Sequence, residues 1–234
     1  MKTYKMEDLR TFERDEYYRL ICPSGNYSQI KNFGERCVFG ERCIFSDCTT
    51  FGDYCSFSKS CSFGNLCTFR ESCDFGKRCN FGKRCRFYER CSFGEQCRFN
   101  DQCRLNKLCS FGELCSFGED CRFSEQCSFG GWCRFEKNCV FDEDCSFGDG
   151  CDLENNLKFE NIQDQVARVL KIDRIGSRKG CTYFFKTSSK IYVRCGCFFG
   201  TIAQFEYKVN QTHAKNEQYR KEYLEAIKYA KAIL

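Results

Sequence analysis

A β-solenoid followed by a small α+β domain is the fold class this sequence predicts, and three observations predict it. Phe recurs at every sixth position from Phe33 to Phe159, and only Leu105 and Leu153 break the series. Cys recurs at every sixth position from Cys37 to Cys151, with Thr49 the one exception. The composition then changes at residue 160. Self-similarity at a fixed short period marks a repeat architecture. The 24 Cys, 26 Phe and single Pro among 234 residues also exclude an ordinary globular enzyme.

In chain order, residues 1–30 read as a cap for the open end of the coil, where an unpaired strand edge would invite aggregation. Leu9, Phe12 and Leu20 give a short amphipathic helical pattern, and ICPSGNYSQI then places Tyr27 in phase with the Phe column. Residues 31–159 form the repeat. Cys-x-Phe sets both side chains on one face of an extended segment, because alternate strand residues point the same way, and that face is the interior. Gly after Phe in units such as Phe33-Gly34 and Phe81-Gly82 eases a bend or a close approach. Asn, Ser, Asp and Arg take that place elsewhere, which makes the bend a mild one. A lone short strand cannot bury its own Phe, so the units must coil, each strand bonding to another a turn away at about 4.8 Å.

Residues 160–234 carry 14 Lys/Arg against 7 Asp/Glu, whereas 31–159 carry 18 against 20. ARVLKID, CTYFFKTS and IYVRCGCF read as three strands, with RIGSRKG and TSSK as turns. Thr201 opens a helix, TIAQFEYKVNQTH. A second, EQYRKEYLEAIKYAKAIL, has Tyr219, Tyr223, Leu224, Ile227, Ala230 and Leu234 on its apolar face.

The six-residue spacing resembles the hexapeptide-repeat family, whose unit is an aliphatic residue, a small or acidic residue, two variable residues, a small residue and one more variable residue. Phe stands here in the aliphatic place and Cys in the small one. The resemblance implies a left-handed parallel β-helix of triangular section with 18 residues per turn, hence about seven turns and a rod of roughly 34 Å. Acyltransferases of that family use a His at a junction between trimer subunits and commonly carry a loop protruding from the coil. The one His here, His213, lies outside the repeat and no unit from Phe33 to Phe159 has an insertion, so neither acyl transfer nor a cofactor is expected. The stretch from KIDRIGSRKGCTYFF to IYVRCGCFFGTIAQF is similar to a small domain of uncharacterised proteins of phages and mobile elements of Gram-positive bacteria. That likeness implies origin rather than activity.

The cysteines read first as core packing, since a free thiol behaves as a small hydrophobe beside the larger ring. Thr49 marks a local slip that turns Cys48 outward, making it the most reactive thiol of the repeat. Cys181, Cys195, Cys197 and His213 count to a zinc set, but Cys195 and Cys197 sit two apart on a predicted strand, as core residues do, and no metal is assigned.

The outer surface holds the functional signal. Folded at 18 residues, one edge reads Glu35, Asp53, Glu71, Glu89, Lys107, Glu125, Glu143, and another column reads Thr50, Thr68, Arg86, Arg104, Arg122, Val140. Stacked like charges cost stability, so such ladders suggest binding. Leu114 and Trp132, 18 apart, form an outward apolar pair of the kind that anchors interfaces. Residues 70–107 hold 10 basic and 5 acidic residues, and 108–154 hold 3 and 11. The net charge of +5 argues against a DNA mimic. The expected partner-binding residues are therefore Arg86, Arg104, Arg122, Leu114, Trp132, Glu71, Glu89 and Glu125. The expectation is a non-enzymatic phage or mobile-element protein that engages a host protein or nucleoprotein complex and inhibits a defence nuclease of CRISPR or restriction type. Direct nucleic-acid binding and self-assembly are the alternatives, with the C-terminal domain as a candidate homodimer seam. No apolar run reaches the ~20 residues of a membrane span, and the charged start MKTYKMEDLRTFERDE does not read as a signal peptide, so a host cytosol is expected.

Overall fold

The structure, a computed structural model, describes all residues except 143, 144, 149, 150, 152–157, 160, 161, 163–165, 167, 177, 178 and 197. Glu143, Leu153 and Cys197, named above, lie outside the described residues. The chain divides into two compact units, Met1–Asn155 and Asn156–Leu234.

The first unit is a parallel β-helix. Two-residue strands such as Ser92–Phe93, Arg98–Phe99 and Arg104–Leu105 follow one another at six-residue intervals, and each pairs in parallel with the strand 18 residues away. Three sheets result, one strand from each making a turn, for about seven turns. The backbone bonds run between turns: Arg86 N–H donates to Cys67 O and Tyr88 N–H to Phe69 O, both at 2.9 Å.

Inside, the rings follow a fixed geometry. Phe57 stacks on Phe75 at 4.9 Å with ring planes 3° apart, and meets Phe63 and Phe69 edge-on at 88° and 90°. Stacking runs along the axis and edge-to-face contact runs around it, both favoured arrangements of the ring quadrupole. Leu105, 1% exposed, interrupts one stack. Phe99, in the preceding unit, is tilted 16° from Phe81 and 14° from Phe117, where most stacked pairs of the coil lie within 8°.

The thiols do more than fill space. Cys103 Sγ donates to Gly82 O at 3.4 Å, and Cys85, Cys97 and Cys121 reach the carbonyl 21 residues earlier in the same way. Each thiol thus satisfies a corner carbonyl of the preceding turn. Thiol-to-thiol hydrogen bonds along the column, then burial, push Cys103 and Cys109 well above the ordinary thiol value and keep them protonated. Thr49 is fully buried with its hydroxyl on Ser46 O at 2.7 Å, and Cys48 is exposed, as the slip in register predicts. Every other cysteine of the coil is buried, so Cys48 is the thiol that a reagent in solvent can reach.

The corners differ from the expected glycine bend. Among the described residues, left-handed φ falls on the residue before each repeat Cys from Cys37 to Cys139, as at Arg84 (59°), Leu108 (60°) and Trp132 (59°), and none of these is Gly. Each such corner costs about 1–2 kcal/mol, a strain offset by burying a Phe worth about 1.5–3 kcal/mol. Gly82 serves close approach instead, since a Cβ there would sit 2.5 Å from the Gly64 carbonyl of the turn below.

The N-terminal segment caps the unit without the amphipathic helix expected for Leu9, Phe12 and Leu20. Met6–Thr11 is a 3₁₀ turn that buries nothing, and Leu20 belongs to a strand, Leu20–Cys22, paired with Cys37–Phe39. Aromatic stacking decides the outcome: Tyr27 lies 5.5 Å from Phe45, Tyr4 stacks on Tyr27 at 4.9 Å, and Phe12 meets Tyr4 edge-on.

The second unit contains an antiparallel sheet of Arg168–Ile175, Gly180–Lys186, Ile191–Cys195 and Phe198–Thr201, and two helices, α1 (Ile202–Thr212) and α2 (Glu217–Ile233). Four strands stand where three were expected. Gly196, at φ 58°, turns the chain within IYVRCGCF so that Cys195 pairs with Phe198. Thr201 caps α1, its hydroxyl accepting from Gln204 N–H. The core gathers Phe184, Val193, Phe205, Val209, Tyr223, Ala226, Ile227 and Ala230. Gly176, at φ 69°, leaves room for the Tyr223 phenol, and Glu222 accepts from its N–H at 2.8 Å and from Lys179 at 3.1 Å.

Candidate functional site

Parallel in-register stacking turns every outward position of the coil into a column with a step of about 4.8 Å. Some charges in these columns are compensated by a partner one turn away. Lys59–Glu41, Lys77–Glu95, Lys83–Asp101 and Lys107–Glu125 all pair across 18 residues, at 2.8 to 3.2 Å. Exposed pairs of this kind contribute little stability each, roughly 0–1 kcal/mol, but they leave the surface locally neutral.

One column is built differently. Arg86 stands opposite Arg104, and Arg104 opposite Arg122, on the outer face of one sheet. All three are exposed, and among the described residues none takes part in an ion pair. In water, neighbouring unit charges at this spacing repel by just under about 1 kcal/mol. The next outward column, two residues earlier in each unit, holds Leu66, Arg84, Gln102 and Asp120. The two columns form the walls of a groove of about 770 Å³ lined by Thr68, Arg86, Arg104 and Arg122 on one side and by Leu66, Arg84, Gln102 and Asp120 on the other. Arg84 Nε is held by Gln102 Oε1 at 2.8 Å, another link across 18 residues. Arg84 and Gln102 escaped the sequence reading, although the same 18-residue folding aligns their column.

The acidic edge is less uniform than its sequence column. Glu71 and Glu125 are exposed and Glu89 half-buried. Lys107 interrupts the column and bonds Glu125 at 2.9 Å. That hydrogen bond, with the nearby charges of Glu125 and Glu89, raises the lysine above its ordinary value. The edge is therefore partly neutralised from within, while the arginine column is not.

Leu114 and Trp132 do stack, with Leu114 N–H donating to Gly131 O, the residue before Trp132, at 2.9 Å, and they are 50% and 65% exposed. They occupy the corner between the other two sheets, away from the arginine column. The structure thus brings Arg86, Arg104 and Arg122 together with Arg84, sets the acidic edge at the following corner, and leaves the apolar pair apart.

In the second unit, Thr182 pairs with Cys195 and donates to its sulfur at 3.2 Å, and Cys195 donates to Tyr223. Cys181, next to Thr182, points to the opposite face of the sheet. His213 stacks on Tyr223 at 5.4 Å. The described residues therefore do not assemble Cys181, Cys195 and His213 into one ligand set. Among them no group of His, Cys, Asp or Glu is arranged to hold a metal, and no helix is long and apolar enough to cross a membrane. No protein-family profile, curated protein or solved structure matches the chain.

Proposed function

We propose that the chain is a non-enzymatic binding protein of phage or mobile-element origin whose β-helix engages a host macromolecule. The partner in this reading is a nuclease or nucleoprotein complex of a defence system, of CRISPR or restriction type, which binding inhibits. The observation that carries the reading is the stacked, uncompensated column of Arg86, Arg104 and Arg122, three like charges in successive turns, where Lys77–Glu95 and Lys107–Glu125 instead set opposite charges one turn apart. Inter-turn hydrogen bonds and ring stacks fix the backbone, so the spacing of the arginine column is set before a partner arrives. Pre-organisation of that kind lowers the cost of binding. The 18-residue turn supports treating the coil as a Phe/Cys variant of the hexapeptide-repeat helix, used as a scaffold for recognition rather than for acyl transfer.

The test is affinity capture from a Gram-positive host carrying defined defence systems, followed by a cleavage assay with the captured complex. Wild type is expected to recover a defence nuclease and slow its cleavage, and Arg104→Glu to lose both effects. Capture without inhibition, or capture indifferent to Arg104→Glu and Trp132→Asp alike, would remove the reading.

A further inference from the structure

The groove itself says more about its occupant. Its walls present four guanidinium groups, from Arg84, Arg86, Arg104 and Arg122, against one carboxylate, from Asp120. The Thr68 hydroxyl and the Gln102 amide supply uncharged hydrogen-bonding groups beside them. Arg86 to Arg122 spans two strand steps, about 10 Å. That length and the groove volume suit a short run of one extended anionic chain, not the flank of a duplex. Immediately beyond the arginine column, Tyr88 follows Arg86 on the same outward side and is 44% exposed. A cationic trough edged by an exposed aromatic ring is the arrangement on which single strands bind, phosphates to the cations and a base on the ring.

We propose that this groove binds the phosphodiester backbone of single-stranded nucleic acid, with Arg84, Arg86, Arg104 and Arg122 contacting phosphates and Tyr88 stacking a base. The assignment deepens the reading above and rests on it: the nucleic-acid strand of a nucleoprotein partner is the part this face grips. Guanidinium suits phosphate because its planar fork donates two parallel hydrogen bonds to one anion.

The experiment is fluorescence anisotropy of the full chain with a mixed-sequence 12-nucleotide single strand, as DNA and as RNA, between 50 and 200 mM salt. The same strand as a duplex and a poly-glutamate peptide serve as competitors. Four phosphate contacts predict a slope of log K against log salt near −2.8, about a 50-fold loss over that range. Arg104→Gln is expected to flatten the slope by about 0.7, and Arg104→Glu with Arg122→Glu to weaken binding at least tenfold. Tyr88→Ala is expected to weaken it about fivefold or more. Arg134→Glu, on another sheet, controls for non-specific charge and is expected to leave affinity within twofold. Circular dichroism melting confirms that each variant is folded.

Equal losses from Arg134→Glu and Arg104→Glu would overturn the assignment, as would tighter binding of duplex or of poly-glutamate, the latter pointing to an acidic protein. Concentration-dependent self-association in sedimentation, abolished by Arg104→Glu, would overturn it in favour of the acidic edge of a second copy. If no oligonucleotide binds while Arg104-dependent capture of a defence nuclease succeeds, the groove assignment fails and the functional reading stands. If the oligonucleotide binds as expected and no defence complex is captured, the functional reading fails and the groove assignment stands.

Discussion

In the β-helix each buried ring meets copies of itself, as Phe57 meets Phe63, Phe69 and Phe75, whereas in the C-terminal unit Phe184, Val193, Phe205 and Ile227 meet unlike neighbours. The first arrangement extends along one axis, and each turn depends only on the turns beside it. The second closes around a single core and depends on particular fits, such as the Tyr223 phenol over Gly176. Periodic packing tolerates a change by sharing it, as the tilted stacking of Phe99 one unit before Leu105 shows. Aperiodic packing has no equivalent neighbour with which to share.

The sharpest way to break this contrast is to remove a ring from the stack. Phe117→Ala deletes a fully buried ring, and a loss of about 3–5 kcal/mol is expected for the β-helix. In a urea melt followed by circular dichroism, a loss below about 1 kcal/mol would mean that the stack relaxes around the hole. Gly176→Ala tests the other unit. The new Cβ would meet the Tyr223 ring at a left-handed backbone position, so a loss of about 2 kcal/mol or more is expected there, read from near-ultraviolet ellipticity during melting. A neutral result would show that Tyr223 can swing clear.

The smallest effect is electrostatic. The Lys179 hydrogen bond, followed by the Gly176 N–H, holds the Glu222 carboxyl below the ordinary Glu range. A folded-state value below the unfolded one stabilises at neutral pH, and that contribution is lost as pH falls through the lowered value. The C-terminal unit should therefore lose some stability below about pH 4.5, more in wild type than in Glu222→Gln. Parallel pH profiles for the two proteins would contradict the assignment.

Legibility followed the same divide. The period exposed the coil, its inward Cys and Phe, the outward Cys48 and the arginine column, because each is a statement about spacing. It could not show that thiols bond the carbonyls of the preceding turn, which requires the approach of residues 21 apart. Nor could it show that the left-handed corners sit before Cys rather than at Gly, since Arg, Leu and Trp carry no signature of that conformation. In the tail, the turn at Gly196 was hidden inside an apolar run read as one strand, so four strands appeared as three. The groove was half visible: one wall was a uniform run of arginines, while the other mixed Leu66, Arg84, Gln102 and Asp120, a column that the 18-residue period aligns but whose unlike side chains form no run of one chemistry.

Strand pairing at a constant offset of 18 residues has an evolutionary consequence. A duplication or deletion of one such module rejoins like with like: ring on ring, thiol under carbonyl, corner on corner. Reach along the axis is then adjustable in increments of about 4.8 Å, with no new core to invent, and the number of arginines offered to a partner is set by how many copies of one module are retained.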